Sequence, residues 1–160
     1  METKIKEKSG NTYSKYYLML VLSFVAMYGT MYLNTYSMDH IFFSMTRFYM
    51  SCLGISVMGV IMFLVMKGMY TNQKKNIGIL IGCGMLFTVA LSLVRVQSPI
   101  IGDVLYMKGM IPHHSIAILT SERADIKDPE VRKLADDIIV AQKKEIEEMK
   151  NMIKRLENEN

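Results

Sequence analysis

A short segment near the middle of the chain, residues 107–114, concentrates side chains that bind soft metal ions. Met107, Met110, His113 and His114 fall within it, and a helix that repeats every ~3.6 residues brings positions three and four apart onto one face. Met110 therefore neighbours both histidines, and Met107 lies one turn earlier. Thioether sulfur binds Cu(I) well, and imidazole binds copper in either oxidation state as well as zinc. The segment predicts a copper site, with Cu(I) favoured and Cu(II) as the alternative.

The same residues also fit an interpretation in which they only pack. Methionine is a common core filler, so the spacing alone does not separate a ligand set from a packed helix. Adjacent histidines point about 100° apart on a helix. His113 and His114 therefore reach one ion only if Pro112 distorts the helix or if a second helix, in this chain or another, completes the set.

Two amphipathic helices are predicted around this segment. The first covers about residues 100–124, and Asp103 lies on the same stripe as Met107, Met110 and His114. A carboxylate is a hard ligand, so Asp103 is expected to orient a ligand rather than to bind a soft ion itself. The second helix begins at Asp128-Pro129 and runs to about residue 156, because an acidic cap followed by proline is a strong helix start. Its expected core stripe is Val131, Leu134, Ile138, Ile146, Met149, Ile153 and Leu156.

The N-terminal part of the chain is predicted to span a membrane. Residues 16–33, 48–66 and 77–94 are apolar runs of about 18 residues without Lys, Arg, Asp or Glu, which is long enough to cross a bilayer. We therefore predict an all-α chain with three transmembrane helices. The expected organisation is a basic N-terminus at 1–15, a membrane domain at 16–96 and a soluble helical domain at 97–160, with the boundary at Gln97-Ser98-Pro99.

Lysine placement predicts the orientation in a plasma or inner membrane. Basic residues cluster before the first run and between the second and third runs, whereas the connector between the first and second runs offers only Arg47. Because cytoplasmic segments carry the excess of Lys and Arg, the N-terminus is expected inside, and the connector and the C-terminal domain outside. The net charge of +4 follows from these lysines and indicates no nucleic-acid partner.

Other sulfur and histidine side chains have weaker interpretations. Met38, His40 and Met45 in the outer connector are a candidate accessory metal site, with a plain exposed loop as the alternative. The 16 methionines of the chain include a stripe at Met58, Met62, Met66 and Met69, for which packing is favoured over metal conduction. Cys52 and Cys83 form no Cys-x-x-Cys pair and are expected to be unbridged packing residues.

Two motifs carry a resemblance to a known family. Asp103, Met107, Met110-Ile111-Pro112-His113-His114 and Ala117-Ile118, followed downstream by Ala141-Gln142, Glu145-Ile146 and Met149, resemble the domain-of-unknown-function family 305 over roughly the last 60 residues. The resemblance implies a ferritin-like helical fold, copper binding in a bacterial envelope, and a role in copper tolerance. By position it implies Met107, Met110, His113, His114 and Met149 as ligands. Ile116 and Thr120 stand where members often have further methionines.

Two function classes remain at this point. The first is a non-enzymatic, membrane-anchored protein that sequesters copper or hands it to another copper-handling protein. The second is a membrane-anchored interaction module in which Met and His only pack. A helical hairpin buries too little apolar surface alone, so both versions predict a partner. The simplest is a second copy in a homodimer that forms a four-helix bundle, with a higher homo-oligomer or packing onto the membrane domain as alternatives. The sequence shows no nucleophile with an aligned base, and it lacks the Glu-x-x-His motif of di-iron proteins. It therefore does not predict an enzyme.

Overall fold

The computed structural model describes residues 2–97 and 100–159, and in these parts the chain is all α-helical. Its five α-helices are α1 (Glu2–Thr30), α2 (Met45–Val65), α3 (Gln73–Val96), α4 (Asp103–Arg123) and α5 (Pro129–Asn158), with 3-10 turns at Met38–His40 and Lys67–Met69. The helices divide between two compact units. We call residues 1–30 with 48–97 the apolar unit, and residues 31–47 with 98–160 the hairpin unit. The predicted boundary falls partly on Ser98 and Pro99, which lie outside the described residues.

Two described helices, α2 and α3, are long and apolar enough to cross a membrane. The expectation of three such helices is wrong for α1. That helix ends at Thr30, before the end of the apolar run, and the stretch that would have to span includes Lys15 and the polar hydroxyls of Tyr16 and Tyr17. Its hydropathy is therefore lower than that of α2 or α3.

Helix α1 nevertheless packs along α2 and α3 within the apolar unit. The Tyr13 hydroxyl donates to Asn76 Oδ1 at 2.7 Å, and the Tyr16 hydroxyl donates to the Gly59 carbonyl at 2.7 Å. Gly59 permits this approach, because a Cβ there would lie 3.1 Å from the Tyr16 hydroxyl and 2.9 Å from Cys83 Sγ. Both cysteines are free thiols, as predicted.

The helix signals in the hairpin unit are confirmed with small shifts in the ends. The Asp128 side chain accepts hydrogen bonds from the backbone N–H groups of Glu130 and Val131, and Pro129 occupies the first turn of α5. Pro112 lies inside α4, so α4 does not end there. Each helix is thus long enough to run beside the other and to hold side chains from distant turns along one seam.

The core of the hairpin unit forms where one stripe of α4 meets one stripe of α5. Ile111 and Ile118, seven residues apart on α4, are fully buried, and Ile146 and Ile153 are their buried counterparts on α5. The expected α5 stripe is wrong at its start, since Val131 and Leu134 are 50% and 60% exposed. The buried position in that turn is Ala135, because the α5 stripe that meets α4 is rotated from the one formed by the larger side chains.

The connector between α1 and α2 also belongs to the hairpin unit. Tyr36 and Phe42 pack against its core, and the Arg47 guanidinium donates to the Pro112 carbonyl at 3.3 Å. The two long helices therefore have a third layer of chain over part of their surface. This layer covers part of the apolar surface of the hairpin. The sequence predicts a separate partner to cover that surface.

Candidate metal site

The predicted soft ligands of α4 lie on an open groove between α4 and α5. The groove has a volume of about 550 Å³. It is lined by Asp103, Tyr106, Met107, Met110, His114, Glu145, Glu148, Met149, Met152, Arg155 and Leu156. The fold thus brings Met107, Met110 and His114 of α4 to the same surface as Met149 of α5, which lies 35 residues after His114 in the sequence.

The four methionines of the groove are covered to different extents. Met107 is nearly buried and joins the hydrophobic core. Met110 and Met149 are half-buried, and Met152 is 44% exposed. Met149 also packs against the hydrophobic core. Three of these four methionines are therefore only partly covered by neighbours.

The two adjacent histidines are separated as helix geometry predicts. Their ring centroids are 6.2 Å apart, with the planes inclined at 63°. His114 lines the methionine groove, whereas the exposed His113 lines a neighbouring shallow depression with Ile116, Ala117 and Gln142. Met110 and His114 border both depressions. The arrangement places His114 with the sulfurs and leaves His113 at the edge.

His114 has a specific carboxylate neighbour on the facing helix. Its Nδ1 atom lies 2.9 Å from Glu145 Oε2. This nitrogen is buried and has no partner that meets the angular limits of a hydrogen bond, so Glu145 is a close polar neighbour of an otherwise unpaired ring nitrogen. Burial lowers the pKa of His114 from its usual value near 6.5, with His113 acting in the same direction and Glu145 against it. The ring is therefore neutral at pH 7, which is the form that binds metal ions.

The predicted accessory residues of the connector have a different environment. His40 is buried, and its Nδ1 lies 3.0 Å from Ser115 Oγ, which also accepts a hydrogen bond from the Tyr36 backbone N–H at 2.8 Å. Burial lowers the His40 pKa, so this ring is also neutral at pH 7. Met38 is 83% exposed. Among the described residues, the lining of the methionine groove does not include Met38, His40 or Met45.

An ion pair holds the connector to α5. Asp39 pairs with Lys150, which also pairs with Glu147. The hydrogen bond from Lys150 holds the pKa of Asp39 well below its usual range. For Lys150, burial lowers the pKa, but the hydrogen bonds to both carboxylates outweigh burial and the pKa is raised. The connector is thus attached to α4 through Ser115 and to α5 through Lys150.

Sequence reasoning missed Met152 and did not give Glu145 a role. Met152 lies three residues after Met149, and Glu145 lies four residues before it, so helical spacing around Met149 places all three on adjacent turns. In the described residues no group of three or more His, Cys, Asp or Glu side chains is placed to hold a metal ion. Besides its carboxylates, the groove is lined by four thioethers and one imidazole, which are the ligand types that suit a soft ion.

The C-terminal part of the chain matches a known protein family. Residues 102–160 match the model of the domain of unknown function DUF305. The chain is also similar to an uncharacterized protein, L153, of Acanthamoeba polyphaga mimivirus, with 37% identity over 146 residues that cover 88% of this chain and 93% of the viral protein. That similarity extends beyond the DUF305 region. No solved structure matches the chain.

Proposed function

We propose that this chain, which belongs to the DUF305 family, is a membrane-anchored copper-binding protein that sequesters copper or hands it to another protein. The observation that carries the proposal is the convergence of Met107, Met110 and His114 with Met149 on one open groove. These side chains come from two helices and have few common roles other than packing or soft-metal binding. Their partial exposure favours binding.

The donor set points to Cu(I). Several thioethers and one neutral imidazole match the preference of this ion, whereas Mg²⁺ and Ca²⁺ prefer oxygen ligands and structural zinc sites use Cys and His. Met107, Met110, Met149 and His114 would hold the ion, and Met152 is placed to join them. His113 at the edge of the groove would be a further donor. The bound ion is cargo in this proposal, and the chain has no catalytic role.

The apolar unit would anchor the site in a plasma or inner membrane. If α2 and α3 cross the bilayer, the connector before α2 and the hairpin after α3 lie on one side, and Lys67, Lys74 and Lys75 lie on the other. The lysine-rich side is the cytoplasmic one by the positive-inside rule. The copper site is then extracytoplasmic. Because the similar protein is viral, a bacterial envelope stays a prediction from the family resemblance.

A second copy of the chain would complete the hairpin into a four-helix bundle. Val131 and Leu134 remain exposed on α5, and the methionine groove is open on the side away from the core. Pairing two hairpins would cover both features, as in ferritin-like bundles. Such a dimer would surround the ion with donors from two chains.

The proposal is tested by anaerobic Cu(I) titration of the full chain in detergent micelles against a competing chelator. The full chain is required because the connector is part of the hairpin unit. We expect Cu(I) to be withdrawn from the chelator and Zn(II) to bind much more weakly. A chain that self-associates but withdraws no Cu(I) would contradict copper binding and support the interaction module.

A further inference from the structure

We propose that Glu145 is a positioning residue that fixes the tautomer of His114, with the proton on Nδ1 and the lone pair on Nε2. The sequence pattern assigned the orienting role to Asp103. The structure assigns it to a carboxylate on the other helix. The tautomer belongs to the metal-free chain, and only its consequence for copper rests on the proposed function.

The geometry identifies a single carboxylate partner for the ring. His114 on α4 and Glu145 on α5 face each other across the groove, with Nδ1 2.9 Å from Oε2. The His114 side chain is 15% exposed and that of Glu145 is 48% exposed. The contact therefore has a sheltered ring at one end and a solvated carboxylate at the other. Asp103 and Glu148 also line the groove, but the described ion pair of His114 is with Glu145.

The chemistry of the two groups decides where the proton lies. A neutral imidazole carries one N–H donor and one acceptor nitrogen, whereas an ionised carboxylate only accepts. Nδ1 beside Glu145 is therefore the protonated nitrogen, and Nε2 keeps its lone pair. A metal-binding histidine commonly donates its other N–H to a carboxylate in this way, which fixes the ring and strengthens it as a ligand.

Two substitutions at Glu145 test whether the tautomer requires a group that can only accept. In Glu145→Gln the side chain can accept from Nδ1–H through its oxygen or donate to Nδ1 through its NH2 group, so it no longer dictates the tautomer. In Glu145→Leu no polar group remains. Glu148→Leu is the matched control, because it removes another carboxylate of the same helix and the same groove. If Glu145 fixes the tautomer, both Glu145 variants lose the fixed Nδ1–H form and the Glu148 variant keeps it.

The first readout is the ¹⁵N chemical shift of the His114 ring in the metal-free full chain in micelles, at a pH above 7 where the ring is neutral. The signals are assigned by their loss in His114→Gln. We expect the Nδ1–H tautomer in the wild type and in Glu148→Leu, a shift toward Nε2–H in Glu145→Leu, and a mixture of the two tautomers in Glu145→Gln. An Nε2–H tautomer in the wild type, or no response to Glu145→Leu, would overturn the proposal.

The second readout is Cu(I) affinity by chelator competition. Removal of an orienting partner commonly weakens metal binding by about 10–100-fold, so we expect a loss of that size in Glu145→Leu and a smaller one in Glu145→Gln. Equal affinity in the wild type and Glu145→Leu would contradict the positioning role in binding. If the wild type binds no copper, the proposed function fails, and the tautomer measurement still decides the role of Glu145.

Discussion

Replacing Met110 and Met149 together with leucine is expected to weaken Cu(I) binding by about 100-fold or more. Both thioethers are half-buried on the groove, one on each helix. Leucine keeps nearly the same volume, and such exchanges usually cost less than about 1.5 kcal/mol of stability, but leucine has no lone pair for the ion. A loss of two decades corresponds to about 2.7 kcal/mol of binding free energy. The measurement is anaerobic competition with a Cu(I) chelator.

The control for this variant is Met38→Leu. It also replaces a thioether with an aliphatic side chain, but Met38 is 83% exposed and lies on the connector. Its affinity is expected to equal that of the wild type, and circular dichroism should show the same helix content in all three proteins. If the double variant kept wild-type affinity, the groove would not be the copper site.

Ile118→Ala is expected to produce the largest loss of stability in the hairpin unit. Ile118 is fully buried in the cluster with Ile111, Ile146 and Ile153, and such truncations cost about 2–5 kcal/mol because they leave a cavity. Amide hydrogen exchange of α4 and α5 in the full chain would report this loss as faster exchange. The matched control is Val140→Ala on α5, whose side chain is 69% exposed and whose removal is expected to cost about 0.5 kcal/mol or less. Equal losses in the two variants would contradict the core described for α5.

Local signals predicted the helices of the hairpin unit well. The Asp128 cap, Pro129 and the periodic apolar residues depend on contacts within a few residues, so they are readable from sequence. The position of the core stripe on α5 could not be read from the sequence. Val131 and Leu134 are larger than Ala135, yet only Ala135 is buried, because the rotation of α5 is set by its packing against α4.

The connector shows a different limit of sequence reasoning. Met38, His40 and Met45 were read as possible ligands because their types fit copper, but His40 contacts Ser115, 75 residues later in the chain. No local pattern reports such a contact. The prediction of three spanning helices failed for a simpler reason. The apolar run was judged only by its absence of charge. Because α1 ends at Thr30, its last 18 residues include Lys15 and four tyrosines, which lower its hydropathy.

The candidate site was predictable on one helix only. Helical spacing placed Met107, Met110 and His114 together, and the family resemblance added Met149. Helical spacing around Met149 points to Glu145 and Met152, but only the packing of α5 against α4 shows that they line the same groove as His114. The separation of His113 from His114 followed from the 100° turn between neighbouring helical residues, but which of the two faces the sulfurs is decided by tertiary packing.

The most direct test is copper K-edge X-ray absorption of the full chain loaded anaerobically with one equivalent of Cu(I). We expect a coordination shell dominated by sulfur scatterers together with one imidazole, and a loss of sulfur scattering in the Met110→Leu, Met149→Leu double variant. A shell of nitrogen and oxygen alone, or copper that is lost on desalting, would rule out the proposed Cu(I) site.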